Sequence, residues 1–194
     1  MKRSNNETDS VPLRTMKPLN RLLAFILMGL LVAGCSSEKS WRTASRESAG
    51  IAPDPSATQE AVLHIYGADA WGWRGWFAIH TWIAAKRSGE KVYTVYDVVG
   101  WRSRNGQPVV RIFQDIPDRY WYGAKPRVLQ KLQGPGVDEL IDAVDQAAHA
   151  YPWKTTYKLF PGPNSNTFTA WIAKQVPGLH LELPFSAIGS GYVD

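Results

Sequence analysis

The sequence predicts an α+β domain, an antiparallel sheet with helices packed on it. Strand-like segments fill the first half of the globular part and helical segments the second, an order that separates this class from alternating βαβ folds. No internal repeat interrupts that order, and 194 residues with 44% hydrophobic and 20% charged content suit one domain with a real core.

The first strand is "AVLHIYGA", from Ala61. "WFAIHTWIAAK", ending at Lys86, is apolar on both alternating faces and so predicts a strand covered on both sides. "KVYTVYDVVGW" is dense in Tyr, Val and Thr, as strands prefer. "PVVRIFQDI" alternates Val110, Ile112 and Ile116 against Arg111 and Asp115, which gives a fourth strand. Pro126 marks a helix first turn, with Leu129 and Leu132 as its short apolar stripe. "VDELIDAVDQAAHAY" sets Val137, Leu140, Ile141, Val144 and Ala148 on one face with acids opposite, a helix stopped by Pro152. "KTTYKLF" predicts a last strand, and "NTFTAWIAKQV" a final helix with Phe168, Trp171, Ile172 and Val176 on its apolar face. "PGL" closes that helix.

Ahead of the domain, "MKPLNRLLAFILMGLLVAGCSS" begins at Met16, a second candidate start. Its two basic residues, apolar run from Leu22 to Gly34 and small residues before Cys35 have the shape of a secretory signal. The run is shorter than the about 20 residues a bilayer span needs. "LVAGC" resembles the bacterial lipoprotein box, which implies cleavage before Cys35 and lipidation of its thiol. Ser36 after it implies carriage to the outer membrane. The expected organisation is a signal peptide over 1–34, a flexible Ser/Pro-rich tether over 35–60 and one domain over 61–194.

Charge follows this division. The net +5 includes five Lys/Arg and two Asp/Glu within 1–34, so the exported part keeps 17 basic against 15 acidic residues, or +2. Most of the basicity is a targeting device, and nucleic acid is not an expected partner. Cys35 is the only cysteine, which excludes an internal disulfide, a thiolate metal site and a cysteine nucleophile in the domain. The four histidines lack ligand spacing and no glycine loop cradles phosphate, so no metal and no cofactor are expected.

Three residues form a candidate catalytic set. Ser165 lies at the mouth of the last helix, where free N–H groups and the helix dipole favour negative charge. The same position suits an ordinary helix cap. His80 lies mid-strand among apolar neighbours. If Ser88-Gly89 is a two-residue hairpin loop, Arg87 opposes Glu90 and His80 faces Asp97, which would orient the imidazole. The binding candidates are Trp71, Trp73, Arg74 and Trp76, an aromatic and cationic platform for sugars or lipid headgroups, together with Asn164 and Asn166. An Asn facing His80 in place of Ser165 would make a binding pocket.

"TVYDVVGW", "WGWRG", "FAIHTWIA" and "PGPNSNTFTAWI" together resemble the bacterial domain of unknown function family 3750, from about Val62 to Val193. That family implies no activity. A second resemblance, to circularly permuted papain-like domains of the NlpC/P60 and lecithin retinol acyltransferase-like kinds, rests on His80 and "NSNTF". It implies Ser165 where a nucleophilic Cys belongs, and a serine needs His80 as its base. Two functions are therefore expected. The first is an envelope lipoprotein, anchored through Cys35, whose domain binds glycan, peptidoglycan or lipid. The second is a serine-type acyl or amide hydrolase or transferase acting through Ser165, His80 and Asp97. Oligomeric state is left open.

Overall fold

The computed structural model describes residues 40–193; the expected signal peptide and the expected lipidation site, Cys35, lie outside the described residues. No helix among the described residues is long and apolar enough to cross a membrane. Five strands, β1 (Val62–Asp69), β2 (Ile79–Lys86), β3 (Thr94–Val98), β4 (Val110–Gln114) and β5 (Arg127–Gln133), form one sheet in the order β4-β3-β2-β1-β5. Every neighbouring pair is antiparallel. Two helices follow, α1 (Val137–His149) and α2 (Ser165–Gln175). The α+β reading of the sequence is the fold observed.

Alternation along the strands assigns the two faces. Leu63, Ile65, Ile83 and Tyr96 point to the helices and share a core with Ile141, Val144, Phe168 and Ile172. Each such aliphatic or aromatic side chain contributes about 1.5–3 kcal/mol on leaving water. The alternate residues Tyr66, Trp82 and Val95 build a second, smaller core with Trp121. β2 is buried over its whole length, as its two apolar faces required.

Two elements differ from expectation. Residues 127–133 form β5 on the edge of β1, in place of a helix begun by Pro126. The misleading signal was Leu129 and Leu132, spaced by three as on a helix. Ile65 pairs with Gln130 and Tyr66 with Val128, so Leu129 is the extra residue of a bulge. The bulge turns Leu129 and Leu132 to the same, helix-facing core. Residues 154–160 form no strand. Lys158 N–H donates to Pro163 O at 2.8 Å, so the segment folds back on its own loop instead of joining a ladder.

The stretch expected to be tether is bound to the domain from Ser45 onward. Gly123 N–H donates to Ser45 O, Tyr120 N–H to Glu47 O, and Ala49 N–H to Asp118 O. The Asp118 carboxylate gathers Ser48 Oγ (2.7 Å), Ile51 N–H (2.6 Å) and Ala52 N–H (3.1 Å). Polar composition hid this, because backbone donors captured by one buried aspartate leave no hydrophobic period.

Candidate functional site

The β2–β3 register decides where Asp97 goes. A turn does form at Arg87–Glu90, with Glu90 N–H donating to Arg87 O at 3.1 Å. The ladder nevertheless pairs Ile83 with Tyr96 and Ala85 with Thr94, two positions from the expected register. Lys91 and Val92 lie outside it because the turn is held elsewhere. Ser88 donates through N–H and Oγ to Asp138, Arg87 pairs with Asp142 on α1, and Gly89 N–H donates to Gln59 O. A shift of two keeps Asp97 on the same face as His80 but moves it along the strand, away from a direct opposition.

Asp97 is fully buried and bound by two arginines. Arg111 Nε donates to Oδ1 at 2.8 Å and Arg111 Nη2 to Oδ2 at 2.5 Å. Arg119 Nη2 donates to Oδ2 at 2.7 Å. Arg119 is itself 1% exposed, with Trp82 and Phe113 rings beside its guanidinium. Asp97 therefore orients no imidazole. It holds the 115–121 loop, and with it Asp118 and the N-terminal segment, against the second face.

His80 lies on that second face, its ring stacked on Trp121 with centroids 3.5 Å apart and planes within 5°. Its Nε2 has no hydrogen-bond partner among the described residues. Burial first, then the positive charges of Arg119, Arg111 and Arg46, hold its pKa well below the ordinary 6.5. The ring is neutral, enclosed and bordered by cations, a poor setting for a general base.

Ser165 belongs to the other face. The next residue of β2, Thr81, points to α2, where its Oγ1 lies within hydrogen-bonding distance of Asn166 Oδ1 (3.0 Å), Thr169 Oγ1 (2.9 Å) and Ser165 O (3.4 Å). Successive side chains of a strand point to opposite faces, so His80 and Ser165 are separated by the sheet. The expected oxyanion donors are also taken. Asn164, the N-cap, accepts Asn166 N–H at 2.9 Å and Thr167 N–H at 3.2 Å through its Oδ1, and Thr167 Oγ1 accepts Asn164 N–H at 3.0 Å. That reciprocal capping box closes the helix start. The catalytic set of Ser165, His80 and Asp97 is thus not assembled, and neither asparagine bonds to His80.

Asn164 and Asn166 instead tie three loops together. Asn164 Nδ2 donates to Leu159 O and Ile188 O, and Asn166 Nδ2 donates to Ile79 O and Ile188 O, all at 2.9–3.1 Å. Gly189, at φ +94, lets Asn164 lie against its Cα, where a Cβ would collide with the amide. Ile79 N–H donates to Ser186 O, closing the knot.

At the same end of the domain the aromatic segment emerges. A 3-10 turn over Gly72–Trp76 ends where Arg74 O accepts Phe77 N–H and Ala78 N–H. Trp76 is 90% exposed, and Trp73 is exposed beside Phe77, their centroids 5.6 Å apart. Trp71 packs edge-on to Tyr122 at 5.8 Å, and Arg74 is half-buried. The two other knotted loops add Phe160 and Phe185, the latter fully exposed. Of the expected platform, Trp73 and Trp76 face solvent and Trp71 does not. Sequence reasoning missed Phe160 and Phe185, which look like ordinary loop residues until the knot brings their loops together. No group of three or more His, Cys, Asp or Glu that could hold a metal occurs among the described residues.

The buried histidines make stability pH-dependent. His64 is lowered to about 4, first by burial and then by Lys131. Both His64 and His80 have folded pKa values below 6.5, so the unfolded chain binds more protons once the pH falls below 6.5. Stability is lost downward through that window, by up to about 1.4 kcal/mol per pH unit per histidine, and the His64 part ends near pH 4. His80→Phe should keep the stack on Trp121 and flatten the loss. Denaturant midpoints measured from pH 7 to pH 4 check this; a slope equal to wild type contradicts it.

A family model described as Protein of unknown function (DUF3750) matches residues 60–192. No curated protein matches the chain, and no solved structure does.

Proposed function

We propose that this chain, which belongs to the DUF3750 family of proteins of unknown function, is a lipid-anchored protein of the cell envelope whose domain binds an envelope component without catalysis. The observation that carries this reading is the exposed aromatic end around Trp73, Trp76, Phe160 and Phe185, built on a buried hydrogen-bonded knot. Soluble monomers rarely leave several large apolar side chains exposed on one rigid end unless something covers them. The sequence supports the anchor through the apolar run ending at Cys35, with the outer membrane, facing the periplasm, as its destination. The hydrogen bonds of Asn164 and Asn166 to loop carbonyls support a structural role for both and, with His80 across the sheet, no attack by Ser165.

The test uses the full chain in living cells, with a photo-reactive amino acid at Trp76 or, as control, at exposed Glu139 on α1. Palmitate labelling that depends on Cys35, and adducts to envelope material formed at position 76 well above those at 139, are the expected results. Equal adducts at the two positions overturn the binding surface, and label that persists in Cys35→Ala overturns the anchor.

A further inference from the structure

Ser45 is bonded to the loop that packs against the aromatic turn. Cys35 precedes Ser45, whose backbone is bonded to the domain, by ten positions, so at most about 35 Å of extended chain separates them. Ser45 O accepts from Gly123 N–H. The adjacent Tyr122 carries the Arg46 guanidinium 4.9 Å from its ring centroid and contacts Trp71, which opens the aromatic turn. Ser45 is thus linked through Gly123 and Tyr122 to Trp71, the residue before the exposed aromatic turn.

Building on the envelope-binding reading above, we propose that the partner is the lipid bilayer itself, with Trp73, Trp76, Phe77, Phe160 and Phe185 inserted into its interface. Three observations select lipid over glycan. The side chains protrude from loop tips: Trp76 is 90% exposed and Phe185 fully so, whereas small-ligand sites are concave. The polar groups beneath them are already spent, because both Asn amides are bonded to loop carbonyls and cannot read sugar hydroxyls. Finally, Arg74 and Lys158 lie within the same segments as Trp73 and Phe160, where cations meet lipid phosphates; Glu182 is the acid near Phe185 in sequence. Trp and a basic residue at an apolar rim match the chemistry of the headgroup boundary, which is apolar on one side and wet on the other. The consequence is a domain held flat on the membrane at two points, which fits the need for a second signal beside a lipid chain for stable attachment.

The experiment reconstitutes the full chain in phosphatidylethanolamine/phosphatidylglycerol vesicles with and without bromine on the upper acyl carbons, and reads tryptophan emission. Wild type should be quenched by the brominated lipid, and Trp73→Ala/Trp76→Ala should show about twofold less quenching. Phe185→Asp, which keeps every tryptophan, should also reduce it by lifting the rim, and both variants should melt within a few degrees of wild type, since the altered side chains are exposed. Quenching equal in wild type and both variants overturns the bilayer assignment, as does protection of the rim by a second copy, seen as cross-linked dimers. Photo-adducts to glycan at position 76 without bromolipid quenching would overturn lipid as the partner while leaving envelope binding intact.

Discussion

Asp97→Ala should destabilise the domain by about 3–5 kcal/mol, the cost typical of removing one partner from a buried ion pair. Arg119 would be left with its charge enclosed, 1% exposed, and, among the described residues, only Asp115 at 3.4 Å as an acidic partner. Its Nε already lacks a hydrogen-bond partner among the described residues, and burial lowers its pKa. The loss should propagate. Arg119 anchors the loop that carries Asp118, and Asp118 holds Ser48, Ile51 and Ala52 over the second core. Equilibrium denaturation measures the total, and hydrogen exchange of Ile51 and Ala52 reads the loosened cover. Replacing Asp97 and its most deeply buried partner, as Asp97→Leu with Arg119→Met, should recover part of the loss, because the fully enclosed charge is then gone and Arg111 keeps 20% of its side chain exposed. A single variant close to wild type would show that the cluster is only peripheral.

The second large effect belongs to Asn166. Asn166→Ala removes two donated bonds, to Ile79 O and Ile188 O, and one accepted bond, from Thr81 Oγ1, in a region almost without solvent. Leaving buried groups unpaired costs about 1–3 kcal/mol each, offset where water enters, so a total of about 3–5 kcal/mol is expected. Asn166→Asp should be no better than alanine. It restores an acceptor towards Thr81 but sets a second oxygen against two carbonyls. Thermal melts of the two variants test this, and an aspartate variant with wild-type stability would contradict it. Because the knot holds the loops of Phe77, Phe160 and Phe185, the same substitution should also diminish bromolipid quenching at temperatures where the sheet remains folded.

Much of the fold was legible because it depends on local pattern. β2 declares itself by apolar residues on both faces, and α1 by a clean apolar stripe against acids. β5 was not legible, since a bulge imitates helical spacing and only the free edge of β1 gives the segment a partner. The candidate site was half legible. "NSNTF" marks a helix start, and two rings of the tryptophan-rich segment, Trp73 and Trp76, are exposed. The placement of His80 beside Asp97 failed for a specific reason. Asp138 and Asp142 on α1 hold the hairpin tip, and two residues slip out of the ladder. Arg119 could have been suspected from "DIPDRYW", a charged pair between apolar residues, but nothing local says that its partner is Asp97.

Among the described residues, local pattern was enough for the class of fold, both helices and four of the five strands, and composition for the absence of thiol chemistry from the domain. Those properties follow from composition and from periods of 2 and 3.6, which are carried within a few residues. Long-range contacts set Ser165 and His80 on opposite sides of the sheet, give Asp97 to arginines, and bring the loops of Phe160 and Phe185 to the aromatic end. Each depends on register or on contacts between segments far apart in the chain. A slip of one or two residues, invisible in the pattern of either strand alone, changes which side chains meet.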